Sequence, residues 1–151
     1  MGLDTTHDCW HGPYSMFMRW RRAVAQAAGL PPLDLMEGFF TKGGHGDPFR
    51  DFARACPELA NVFYRSLPIR WEALRPSPLH ILLSHSDCDG RIETKDCGPI
   101  ADALETVIPY MVSDAMTGSA RGIYDGIVPA TRRFIAGLRV ASSQEEDVIF
   151  S

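Results

Sequence analysis

The chain has 151 residues, with 15 Lys and Arg against 19 Asp and Glu for a formal charge of −4, and 45% of it is hydrophobic. A chain of this length buries about 70% of the surface its unfolded form exposes, so its core needs neither metal nor disulfide as a staple. The acidic balance argues against bulk binding to nucleic acid or to an anionic membrane, since both draw on a basic excess, and no apolar run approaches the roughly 18 residues of a membrane span.

Gly12-Pro13, then Tyr14, Phe17, Val24, Ala25 and Ala28 at helical spacing, predict an amphipathic helix that Gly29 and Pro31-Pro32 end, with Trp20 or Arg21 completing its apolar stripe. Arg19, Arg21 and Arg22 read as a solvated basic face. A short helical turn is expected between Leu33 and Phe39, followed by a surface loop. Within it Thr41-Lys42-Gly43-Gly44-His45-Gly46 lacks both the Lys-Ser/Thr and the leading strand of a phosphate loop. Phe49, Phe52, Ala53, Leu59, Val62 and Phe63 predict helix over residues 48–65, interrupted or restarted at Pro57. Leu67 to Trp71 is extended or turning, and Leu79 to Leu83 is an apolar run that fits either helix or strand. A further helix starts at Gly98-Pro99, carries Ile100, Ala101, Leu104, Val107 and Ile108 on one face, and is limited by Pro109. The last helix runs from about Pro129 to Ala141 with Phe134, Ile135 and Leu138 inward, and Asp147 to Phe150 reads as a short strand. The fold class is mainly α: one helical domain over residues 1–151, with a helix-loop-helix unit over about 78–108 and a short two-stranded pairing. No repeat of 20 to 50 residues occurs.

The segment richest in chemistry is His85-Ser86-Asp87-Cys88-Asp89-Gly90-Arg91-Ile92-Glu93-Thr94-Lys95-Asp96, which resembles the EF-hand calcium loop. With Gly90 as the sixth residue, where a sharp turn is needed, Asp87 and Asp89 fall at the third and fifth ligand positions. Arg91 falls at the carbonyl position, Glu93 at the ninth and Asp96 at the twelfth. Ile92 is the eighth, where a short strand forms, and its expected partner is the strand at Val148 to Phe150. Two departures stand out. His85 replaces the usual Asp at the first position, and Asp96 replaces the usual Glu at the twelfth, whose longer stem grips calcium with both oxygens. The resemblance implies a divalent cation, calcium or magnesium first, with zinc or manganese admitted by the histidine. The alternative is an Asp-Gly turn whose carboxylates cap the following helix with no ion.

A second cluster is Asp4, His7, Asp8 and His11. If residues 4–11 formed a helical turn, His7 and His11 would share a face as a zinc-binding pair does, and either could join the loop in a mixed site that activates water. The alternative is a capped first turn with Trp10 in the core. His45 and His80 read as ordinary surface or helix residues. Cys9, Cys56, Cys88 and Cys97 show no CxxC pair or disulfide framework and read as reduced thiols, Cys97 within the core. No Gly-x-Ser-x-Gly is present, and Phe17, Trp20, Trp71 and Phe134 all have core roles open to them, which weakens an exposed-aromatic case for nucleic acid.

Met1 to Gly12 (MGLDTTHDCWHG), His85 to Gly90 (HSDCDG) and Phe134 to Arg139 (FIAGLR) together resemble a group of small uncharacterised proteins of bacteriophages and their bacterial hosts. The resemblance implies an accessory role and no particular chemistry. Three readings follow. The first is a divalent-metal-binding accessory or interaction protein, phage-related. The second is a metal-dependent hydrolase of a nucleotide or phosphoester, with Asp87, Asp89, Asp96 and histidine holding the ion. The third is a ligand-sequestering or host-inhibiting protein whose loop is purely structural. The partners these readings name are a host protein or a small signalling ligand. A cytoplasmic location is expected because no basic segment followed by an apolar stretch opens the sequence. Gly2 and Thr6 fit the outline of a myristoylation signal, but no basic cluster or second anchor accompanies them.

Overall fold

A computed structural model describes residues 2–39, 53–58, 68–86, 89–115 and 126–151. The fold is mainly α. The described helices are α1 (Tyr14–Ala27), α2 (Leu79–Leu83), α3 (Thr94–Ala115) and α4 (Ile127–Gln144). Four short strands, β1 (Gly2–Asp4), β2 (His11–Pro13), β3 (Gly90–Ile92) and β4 (Val148–Phe150), form the antiparallel pairs β1–β2 and β3–β4. The expected loop at 41–46 and most of the helix expected over 48–65 lie outside the described residues. Residues 53–55 and 57–58 are helical, with the break at Cys56 before Pro57.

Helix α1 starts directly after Pro13 and buries Phe17, Trp20, Arg21, Val24 and Ala25, the stripe set by its sequence period. Helices α3 and α4 pack along one another, and α1 lies against α3. Trp20 and Phe134 stand 4.7 Å apart, Trp10 and Phe17 5.1 Å, and Phe17 and Phe150 5.8 Å. One aromatic cluster therefore ties α1, α4 and the carboxyl-terminal strand. The Trp20 Nε1–H donates to the buried Thr131 hydroxyl at 2.9 Å, and that hydroxyl donates to the Ile127 carbonyl at 2.7 Å. The indole is thus buried without an unmet donor.

Three expectations are corrected. Helix α3 begins at Thr94, four residues before Gly98, and runs through Pro99 and Pro109 to Ala115. A proline inside a helix forfeits one backbone hydrogen bond at a cost of about 3 kcal/mol. Packing along α4 is what α3 has to set against that cost, with both prolines on its exposed side. Residues 4–11 do not form a helical turn: only Thr6–Asp8 is helical, as a 3₁₀ turn, and His11 belongs to β2. Arg21 does not face solvent but is fully buried.

The 3₁₀ turn sits hard against α4. A Cβ built on Gly137 would fall 2.7 Å from the His7 carbonyl oxygen and 3.0 Å from Cys9 Cα, and would overlap the Cys9 sulfur. Only a glycine admits the segment at that depth. Gly98 differs, since its Cβ would meet nothing nearer than the Ser142 hydroxyl at 3.8 Å. Gly98→Ala is therefore expected to raise stability by about 0.5–1 kcal/mol through helix propensity, and Gly137→Ala to lower it by about 1–3 kcal/mol through overpacking. Urea unfolding midpoints of the two variants check the opposite signs.

Candidate functional site

The two chemistry-bearing segments meet on one strand. β4 pairs with β3 in the register Gly90↔Phe150, Arg91↔Ile149 and Ile92↔Val148, the pairing expected from the loop. On its other side Phe150 bridges to Thr5, and Asp4 and Ser151 exchange backbone hydrogen bonds of 3.0 and 2.9 Å. The Thr6 hydroxyl accepts the Ile149 N–H at 2.9 Å. The segment 4–11 and the segment 85–96, some 80 residues apart in the chain, are thus both held by the carboxyl-terminal residues 148–151, with Ile149 and Phe150 touching each of them.

The loop is fastened at both ends by groups outside it. At its start the buried Arg21 Nη1 donates to the His85 carbonyl at 2.5 Å and to the Leu83 carbonyl at 3.3 Å, acceptors that the end of α2 leaves without helical partners. Burial pushes the Arg21 pKa down to about 10, with Arg22 adding to the fall, so the guanidinium stays charged at neutral pH. Its carbon lies 4.6 Å from the Phe17 ring centre, a cation–π contact in a desolvated site. At the other end Asp147 Oδ1 accepts the Thr94 N–H at 2.9 Å, capping α3, while its second oxygen lies 3.4 Å from Arg91.

Of the loop's candidate ligands, His85 lays its ring on Phe150, with centres 4.1 Å apart, and donates its Nδ1–H to the Ser86 carbonyl at 2.8 Å. The same ring covers Gly90: a Cβ there would lie 3.1 Å from Cε1 and Nε2, and Gly90 has φ +110°. Glu93 pairs with Lys95 at 3.1 Å. Asp89 is exposed, and Asp96 is half-buried in the first turn of α3. Asp87 lies outside the described residues. Among the described residues no three His, Cys, Asp or Glu side chains are gathered so as to hold a metal ion.

In the second cluster each side chain has its own partner. His7 Nε2 donates to Glu146 at 2.6 Å, His11 pairs with Asp4, and Asp8 pairs with Arg133. Among the described residues His7 and His11 thus each face a carboxylate of their own, Glu146 and Asp4, rather than one another. His7 and Asp8 are left-handed at φ +59° and +55°, a strain of order 1 kcal/mol each. The Glu146 and Arg133 pairs and the burial of Cys9 hold the segment in that shape.

Beside His85 the surface is concave. One cavity of about 430 Å³ is lined by His85, Ser84, Ser86, Phe39, Trp71 and Glu37. A second, of about 580 Å³, is lined by Trp71 and Glu37 again, with Arg70, Glu72, Arg75 and His80. Trp71 is half-buried and packs against the edge of the core. Its Nε1–H donates to the Glu37 carbonyl at 3.0 Å, and its ring meets Phe39 edge to face at 6.0 Å. A parallel bridge between Met36 and Ile69 brings the two chain segments side by side. No sequence signal marks this meeting, because Glu37 and Trp71 are joined by tertiary pairing alone.

Comparison with protein-family models, curated proteins and solved structures found no match for the chain.

Two expected outcomes follow from this geometry. Asp147→Ala removes the cap on α3 and is expected to cost about 1–2 kcal/mol, whereas Asp147→Asn keeps an acceptor and loses only the exposed Arg91 pair. Urea unfolding tests the contrast, and equal losses in the two variants would show that the cap is not what matters. The second outcome concerns the thiols. Burial pushes Cys9 up to about 12 and Cys97 up to about 11, with Asp147 adding to the latter. The thiolate is the reactive form, so iodoacetamide at pH 8 is expected to leave both unmodified in the native protein and to label them in urea. Mass spectrometry of the labelled peptides reads the difference.

Proposed function

We propose that the protein is a ligand-capturing accessory protein in which the 85–96 loop is a structural wall of the binding site. The observation that carries this is the fastening of the loop by protein groups: Arg21 holds its first carbonyl, Asp147 caps its exit, and β4 takes its strand. So fixed, His85 lines the concave surface shared with Trp71 and Phe39. A preformed cavity of several hundred Å³ with aromatic walls and a few polar groups is the usual form of a small-molecule site. An accessory role also agrees with what the resemblance to small phage and bacterial proteins implies.

A second reading keeps the divalent cation. It is favoured by the chain order of α2, loop, β3 and α3, and by Ile92, buried and strand-paired at the eighth position as in an EF-hand. In it Asp87, Asp89 and Asp96 carry the ion and the Arg91 carbonyl contributes. Calcium or magnesium comes first, and zinc or manganese needs His85 to leave Phe150. The hydrolase reading requires the same ion with an open position for water. The described helices include none long and apolar enough to cross a membrane.

Melting curves separate the two readings. A ligand at a hundred times its dissociation constant stabilises by about 2.7 kcal/mol, which moves the midpoint of a chain this size by roughly 5–10 °C. The structural-loop reading expects midpoints unmoved by a chelator, calcium, magnesium, manganese or zinc. A rise of several degrees with any one of them, abolished by Asp89→Asn, would put the cation reading in its place.

A further inference from the structure

Glu37 and Trp71 line both cavities, so the two adjoin at one indole. Around it stand three kinds of group with little to do in the fold. Among the described residues the Arg70 side chain makes no hydrogen bond or ion pair, and only its backbone carbonyl is used, accepting the Ala73 N–H at 3.0 Å. Arg75 reaches only Glu72, at 3.9 Å, with both side chains 71% exposed. Such a surface contact holds neither group in place. Among the described residues the Glu37 carboxylate is likewise unengaged; its backbone is used, the N–H donating to the Ile69 carbonyl at 2.8 Å and the carbonyl accepting from the indole. His80, which also lines the second cavity, gives its Nδ1–H to the Ser77 carbonyl at 2.8 Å.

Each group selects a different feature of a ligand. A guanidinium fork matches phosphate oxygens, and two of them line one cavity. An indole face takes a flat heteroaromatic ring whatever its sequence of atoms. A carboxylate accepts N–H groups and repels free anions, so Glu37 and Glu72 weigh against phosphate alone. Resting on the reading of these cavities as a ligand site, we propose that the ligand is a nucleotide. Its base lies on Trp71 with base N–H groups on Glu37, and its phosphate lies on Arg70 and Arg75. Guanine suits the carboxylate best, because its edge offers two adjacent N–H donors, whereas uracil offers one.

The test is calorimetric titration of the full chain with guanosine monophosphate, uridine monophosphate, guanosine and inorganic phosphate. The expected result is that guanosine monophosphate binds at least tenfold tighter than guanosine or phosphate, and several-fold tighter than uridine monophosphate. Replacing both arginines, as R70A with R75A, should remove the advantage of nucleotide over nucleoside. Glu37→Gln should remove the preference for guanine and keep the contribution of the phosphate. Circular dichroism confirms that each variant is folded. Guanosine monophosphate binding no tighter than guanosine, or an advantage that survives loss of both arginines, overturns the proposal. A fluorescence screen of uncharged aromatic compounds, read against Trp71→Phe, separates this failure from that of the site itself. Compounds that bind through Trp71 while nucleotides do not would leave the ligand site standing without the nucleotide, and no binder of either kind would remove both.

Discussion

A guanidinium with no exposed surface must find its acceptors inside the fold, and the placement of everything around the 85–96 loop follows from where Arg21 finds them. Removing a cation from water costs several kcal/mol unless it is hydrogen-bonded. The last turn of α2 is equally in need, because its carbonyls lack helical donors. Arg21 meets both demands at once, with Leu83 and His85 accepting and Phe17 beneath the guanidinium carbon. The consequence reaches the surface. With its carbonyl fixed, His85 can lay its ring across Gly90 and Phe150 and form one wall of a cavity.

The carboxyl-terminal strand provides the second constraint. β4 is three residues long, too short to be stable alone, and it is stabilised by what lies on each flank. β3 lies on one side, Asp4, Thr5 and Thr6 lie on the other, and Phe150 reaches beneath into the aromatic cluster. Asp147, just ahead of it, caps the longest of the described helices. The strained turn at His7 and Asp8 and the close approach at Gly137 belong to the same junction, since they set the depth at which the amino-terminal segment docks.

Much of this could be read from the residues, and the failures have physical causes. The apolar period of α1 placed its ends within a residue, and the buried β-branched Ile92 found the partner strand that its position in the loop implied. Arg21 occupies the middle of the α1 stripe, four residues after Phe17 and three before Val24, so its burial was visible in the period. Its charge argued the other way, and only tertiary structure supplies the carbonyls that resolve the conflict. Pro99 and Pro109 read as boundaries because local cost was weighed without the packing of α3 on α4. The cap supplied by Asp147 and the place of Trp71 at the cavities carried no signal, because a cap supplied from 53 residues away and an indole fixed by a distant carbonyl leave no trace in spacing.

The central claim is that Arg21 holds the start of the loop. Amide hydrogen exchange in Arg21→Met, which keeps the bulk of the side chain and removes its donors, tests it most directly. The account expects amides of residues 84–93 to exchange at least tenfold faster than in the wild type, while those in the middle of α1 and α4 keep their protection. Unchanged exchange in the loop, or an equal acceleration through all three regions, would contradict it.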